Sequence, residues 1–158
     1  MISFISGDIL QSQEQFIAQG VATGLQEGLG TGLALKISKK WPEQQKLFKR
    51  HARTNGFKAG DVFITNNTGG QPGIIYIATQ PDMYHAELSY LNKGFKNLLK
   101  ICNKNNINSI ALPKIGSGLG KLDWETQVKP LIKTIFETCH TTFVIYENFT
   151  NKDEINGL

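Results

Sequence analysis

The chain has 158 residues, of which 40% are hydrophobic, 19% charged and 9% aromatic, the make-up of one globular domain with an adequate core. That balance excludes a disordered tail, a coiled coil and a collagen-like fibre, and no apolar run approaches the roughly 20 residues needed to span a bilayer. Lys and Arg outnumber Asp and Glu by 17 to 13, a net +4 that favours an anionic partner.

Met1 to Ile5 is a short apolar run that meets Gly7-Asp8 too early to be a signal-peptide core, so a cytoplasmic location is expected. Residues 2–5 predict the first strand and Phe16 to Ala22 the second, which runs into a glycine-rich stretch from Gly24 to Gly32. Leu33, Leu35, Ile37 and Trp41 mark a helix over 31–41, and Pro42 opens a second one carrying Leu47 and His51, closed by Asn55-Gly56. Lys36, Lys39, Lys40, Lys46, Lys49, Arg50 and Arg53 form the one dense basic group. They recur like a solvated helix face and are also the one candidate surface for nucleic acid.

Two β-rich runs, 61–65 and 74–78, flank Asn66-Asn67-Thr68-Gly69-Gly70, which suits a hairpin. Leu88, Leu91, Phe95, Leu98, Leu99 and Cys102 recur at spacings of three and four, predicting an amphipathic helix over 83–103. A buried strand at 109–112 leads into a second glycine-rich loop, 113–121. Asp123 can cap a helix over 124–139 that Pro130 bends or displaces, and 142–146 is the last strand. The polar residues 151–158 form a short tail, leaving 1–150 as one α/β domain with a mixed sheet. Cys102 and Cys139 make no CxxC pair and read as buried thiols, and no His, Cys, Asp or Glu triad has metal-ligand spacing, so neither metal nor cofactor is expected.

Gly28-Leu29-Gly30-Thr31-Gly32 and Gly116-Ser117-Gly118-Leu119-Gly120 each follow a strand and precede a helix, where backbone N–H groups can approach phosphate oxygens. Neither loop is a dinucleotide fingerprint, because Leu33 and Lys121 stand at the third glycine position. Nor is GSGLGK a Walker A loop, because it is one residue short and is followed by Leu122. Ile115 before Gly116-Ser117 excludes a nucleophile elbow, so Ser117 reads as a hydrogen-bond donor to phosphate.

GDIL at 7–10, GLGTGLALKISKKWP at 28–42 and ALPKIGSGLGKLDWE at 111–125 together resemble the macrodomain family over about residues 1–149. Within it the chain looks most like the branch containing DarG-type antitoxins, the terminal ADP-ribose glycohydrolase and the yeast ADP-ribose-1″-phosphate phosphatase. The resemblance implies a three-layer α/β/α fold with a mixed sheet of about six strands and a usually monomeric protein. It also implies a site for ADP-ribose, free or attached to protein or nucleic acid. By position, Asp8 and Ile9 would meet the adenine, and Gly30, Thr31, Gly32 and Leu33 the diphosphate. Ile115, Gly116, Ser117, Gly118, Leu119 and Gly120 would cradle the phosphates and the terminal ribose, with Tyr146, Asn148 and Phe149 flanking the adenine.

The chain departs from that pattern where the chemistry is decided. In IATQPDMYH, Gln80 stands where glycohydrolases of this branch carry a lysine, and Gly120 replaces an aspartate of the human-type enzyme. An amide is neither nucleophile nor base at neutral pH, which leaves His85, near Glu87, as the candidate acid or base. The expected activity is hydrolysis of a substituent at C1″ of the terminal ribose, a phosphate or an attached macromolecule. The alternative is a silent ADP-ribose reader.

Overall fold

A computed structural model describes residues 1–23, 32–66, 68–82, 85–117 and 120–149. Six strands, β1 (Ile2–Ser6), β2 (Phe16–Ala22), β3 (Val62–Ile64), β4 (Gly73–Gln80), β5 (Ser109–Pro113) and β6 (Thr142–Asn148), form one sheet in the order β1-β6-β5-β2-β4-β3. Every pairing is parallel except β3 with β4, so the antiparallel strand is confined to one edge and the sheet is mixed, as expected.

The helices are α1 (Gly32–Lys40), α2 (Pro42–Asn55), α3 (Leu88–Asn105) and α4 (Lys129–Phe136). They cover both faces of the sheet, which is why β2 and β4 read as nearly unbroken apolar runs. Alternate residues of these strands go to opposite cores. Phe16, Ala18, Ile75 and Ile77 pack with Leu91, Phe95, Ile132 and Phe136 of α3 and α4. Ile17, Val21, Ile74 and Tyr76 pack with Ile37 and Phe48 of α1 and α2. On the second face the Phe48 ring stacks on Tyr76 with centroids 4.2 Å apart. Leu47, read from the sequence as part of the helical stripe, faces solvent instead, and Phe48 fills the core position beside it.

Two helices start later than their sequence patterns suggest. The apolar period reaches back to Met83, but α3 begins at Leu88 because the N–H groups of Ala86 and Glu87 bond to the Gly120 and Thr79 carbonyls. Those tertiary bonds hold Glu87 extended, with φ −115° and ψ 127°. Near the other end of the chain, Asp123 caps as expected, accepting the Thr126 N–H at 2.8 Å. A π-type turn over Trp124–Val128 then precedes α4, with Pro130 in the first turn of α4, where its missing N–H costs nothing. Cys102 and Cys139 are both buried free thiols, and burial pushes the Cys102 thiol up to about 11.

Glycine allows two close approaches on which the sheet depends. A Cβ at Gly94 of α3 would lie 2.6 Å from Ile77 Cγ2, so the helix rests directly on β4. A Cβ at Gly20 of β2 would lie 2.7 Å from Thr79 Oγ1 and 3.0 Å from Ile115 Cγ1, so β2, β4 and the loop after β5 meet with no room between them. Overpacking of this kind costs about 1–3 kcal/mol. Gly20→Ala is therefore expected to lower the unfolding free energy by that amount, read by circular dichroism as a lower urea midpoint with an unchanged m-value.

Candidate functional site

All five parallel strands end on the same side of the molecule, and the segments that leave them there hold the predicted site residues. The chain leaves β2 toward β4 and leaves β5 toward β6, so the crevice between β2 and β5 is the switch point of the sheet, where open α/β sheets bind ligands. The first glycine loop follows β2 and the second follows β5. Gly30, Thr31, Gly118 and Leu119 lie outside the described residues, while Gly32, Leu33, Ile115, Gly116, Ser117 and Gly120 are placed.

A cleft of about 250 Å³ opens between the ends of β1, β5 and β6 and the first turn of α1. It is lined by Ile9, Gly32, Leu33, Tyr146, Asn148 and Phe149, which the sequence had suggested, by Gly7 and Pro113, which it had not assigned to a site, and by Lys36, which it had assigned only to the basic surface. Lys36 follows Gly32 by one helical turn, which puts its ammonium 5.2 Å from the Phe149 ring centroid. That spacing from the glycine was the available signal, obscured because Lys36 also belongs to the basic run. Phe149 is 53% exposed, so its ring is available to a planar ligand rather than packed in the core. Asp8, between the lining residues Gly7 and Ile9, accepts the Leu10 N–H on Oδ1 at 3.0 Å and so caps a 3₁₀ turn over Ile9–Gln11.

The loop after β5 is built around Gly116, whose φ of +80° is accessible to glycine at little cost. Its Ile115 and Ser117 N–H groups bond within the loop, to the Pro113 and Lys114 carbonyls at 2.7 and 3.2 Å. These two amides are therefore spent on the turn, contrary to the expectation that they would face phosphate. The Ser117 hydroxyl oxygen is instead buried without a hydrogen-bond partner among the described residues. An unmet buried hydroxyl is costly, and a ligand oxygen would satisfy it.

The loop after β4 lies against the second glycine loop. A Cβ at Gly120 would be 2.7 Å from Ala86 Cβ, 2.8 Å from the Gly116 carbonyl and 3.2 Å from Gln80 Oε1. The backbone at 120 has no space for the aspartate that the human-type pattern carries. Gln80 donates through Nε2 to the Asp82 carbonyl at 2.7 Å and accepts from Thr79 Oγ1 at 3.2 Å. His85 is exposed, and its Nδ1 sits 2.9 Å from Asp82 Oδ1, a partner not anticipated from sequence. That contact leaves Nε2 as the nitrogen able to take or give a proton. Ala86, the next residue, bonds to Gly120, so His85 stands one residue from the second loop. Tyr84 lies outside the described residues, and His51 and His140 stand apart from this edge, His51 stacked on Phe63 at 4.4 Å.

The exit of the second loop is tied to β6. Trp124 Nε1 donates to Glu147 Oε2 at 2.8 Å, and the same oxygen takes the Lys129 ammonium at 3.0 Å. Among the described residues no group of three or more His, Cys, Asp or Glu is placed to hold a metal, and no helix is long and apolar enough to cross a membrane.

The Macro domain family model matches residues 20–130 of the chain. A Mycobacterium tuberculosis protein named DNA ADP-ribosyl glycohydrolase is 27% identical over 163 residues, covering 100% of this chain and 45% of its own length. The chain thus spans less than half of that relative. A human protein named ADP-ribose glycohydrolase is 26% identical, covering 92% of this chain and 90% of its own. Among solved structures, the macrodomain of Mycobacterium tuberculosis DarG superposes with a TM-score of 0.83 at 26% identity, over 92% of this chain and 97% of that one.

The indole N–H and then the Lys129 ammonium hold the Glu147 carboxyl below its ordinary range. A depressed carboxylate contributes stability above its unfolded value, about 4.3, and loses it as pH falls through the folded value. Thermal melts from pH 7 to pH 3 should show Glu147→Gln less stable than the native chain at pH 7, with the gap closing in acid. A gap constant with pH would mean that the carboxylate charge does not hold the loop exit.

Proposed function

This chain belongs to the Macro domain family, and on that premise we propose that it binds ADP-ribose across the carboxyl edge of the sheet and hydrolyses a substituent at C1″ of the terminal ribose. The carrying observation is the convergence of both glycine-loop strands on the β2–β5 switch point, with the buried, unpartnered Ser117 hydroxyl in the second loop. In this reading the adenine lies in the cleft beside Ile9 and Phe149, with Asp8 at its rim accepting from the exocyclic amine. The diphosphate crosses from the start of α1 to Ser117, and the terminal ribose reaches the second loop beside Gln80 and His85.

Water adds its hydroxyl to C1″, the bond from C1″ to the leaving group breaks, and the water's proton ends on the departing atom. Fixing the diphosphate supplies most of the effect by positioning, and His85, oriented by Asp82, carries the proton through Nε2. One relative is named a DNA ADP-ribosyl glycohydrolase and the other an ADP-ribose glycohydrolase, which favours an attached macromolecule as the leaving group; phosphate of ADP-ribose-1″-phosphate is the second candidate. We take the domain to work as a cytoplasmic monomer. The reader alternative rests on Gln80, whose uncharged amide is committed to Asp82 and Thr79.

Calorimetric titration with ADP-ribose, then incubation with ADP-ribosylated DNA, ADP-ribosylated protein and ADP-ribose-1″-phosphate, tests the proposal by chromatography of the products. Binding with release of ADP-ribose or phosphate is expected; binding with no product would make the domain a reader. His85→Ala should keep affinity and lose about 10²–10⁴ in turnover, and full turnover in that variant would remove His85 from the mechanism. Ser117→Ala should weaken ADP-ribose by about 10–100-fold while leaving the unliganded melting temperature unchanged or higher, because the hydroxyl it removes is unsatisfied without ligand.

A further inference from the structure

The positive charge of this protein is concentrated in one pair of helices. Residues 32–55 contain seven Lys or Arg and a single acidic residue, Glu43, leaving ten basic against twelve acidic residues in the rest of the chain. Without α1 and α2 the chain would be net acidic. On α2, Lys46, Lys49, Arg50 and Arg53 follow one another at the three- and four-residue spacing of a single helix face, and all four are exposed. On α1, Lys36, Lys39 and Lys40 repeat the same spacing and are exposed as well. Glu43 pairs with Lys46 at 3.2 Å, and no other ion pair involves these side chains among the described residues.

This basic array is continuous with the site. Lys36 lines the cleft and lies over Phe149, and the Lys40 ammonium donates to the Leu10 carbonyl at 3.0 Å, in the turn that Asp8 caps. The opposite face of the helix pair is committed to the core through Ile37, Phe48 and Ala52. A membrane-surface helix needs a free apolar face, and α2 offers only Leu47. A row of mostly lysine point charges spread along two helices suits a repeating, delocalised anion rather than one carboxylate.

We infer that the exposed basic face of α1 and α2 binds the phosphodiester backbone of a nucleic acid, without reading its sequence. The face would then hold the macromolecular part of a nucleic-acid substrate while the cleft holds its ADP-ribose. That second statement rests on the proposed function; the backbone contact itself does not. Because the contact is electrostatic, affinity falls as salt rises, by about 0.7 log unit per log unit of salt for each phosphate neutralised on a single strand.

The test is fluorescence anisotropy of labelled, unmodified oligothymidine and oligouridine with the full chain, from 50 to 200 mM KCl. The comparison is a variant carrying Lys46→Gln, Lys49→Gln, Arg50→Gln and Arg53→Gln, which leaves Lys36 and the cleft intact. The native chain is expected to bind either strand with a steep salt dependence. The variant should bind at least 10-fold more weakly with a shallower slope, while calorimetry shows its ADP-ribose affinity unchanged. Equal nucleic-acid affinity of the two proteins would overturn the proposal, as would polyglutamate or anionic vesicles binding the native chain as tightly as the oligonucleotides. Oligonucleotide binding that depends on the four residues in a chain that fails to bind ADP-ribose would leave this face standing and remove the cleft assignment.

Discussion

The site hangs on the contact of β2 with β4 and with the loop that leaves β5. These segments meet across Gly20 with no space for a single additional carbon, and on the same face Gly94 lets α3 rest directly on β4. Close packing is unforgiving because a filled interior relaxes only by moving whole elements. Here the elements that would move are the ones that carry Gln80 and Ser117. The fold and the ligand edge therefore share one constraint: β2 and β4 must be buried on both faces, and glycine must stand where they are crossed.

From that constraint the rest follows in order. Burial on both faces requires helices on both sides, and parallel strands joined by helices release their loops at one edge. That edge gathers carbonyls and amides that the fold must satisfy. It does so by exchanging them between loops, Ala86 with Gly120, Glu87 with Thr79 and Thr23 with Gln80. The Ser117 hydroxyl is left over from this exchange, and an unsatisfied buried donor at the switch point is the feature a phosphate-bearing ligand would use.

The departure at Gln80 and the departure at Gly120 are coupled in space. Gln80 Oε1 lies where a side chain at position 120 would begin, and Ala86 closes the remaining volume. A chain that packs its β4 loop so tightly against its second glycine loop gives up a carboxylate at 120, and in the proposed mechanism the acid–base work would pass to what the β4 loop presents. That loop presents His85, held by Asp82 and exposed. In the mechanism proposed above, the macrodomain scaffold would keep its diphosphate site while the proton-transfer group is drawn from a different residue.

How much of this was readable from the letters divides along physical lines. Strand β2 was legible to its last residue because a run buried on both faces is apolar at nearly every step, with Gln19 the polar exception, and the cap at Asp123 was legible because its hydrogen bonds are local. The two glycine loops and the resemblance they carry placed Asp8, Ile9, Leu33 and Phe149 at one edge, since five parallel strands can end nowhere else. The start of α3 at Leu88, the solvent-facing Leu47, the partner of His85 and the place of Lys36 in the cleft were decided by tertiary structure. The start of α3 and the place of Lys36 depend on groups distant in sequence, the exposure of Leu47 on a choice between two equally helical positions, and the Asp82 partner of His85 on the conformation of a non-helical loop. Periodicity determines which residues share a face; only packing determines what that face meets.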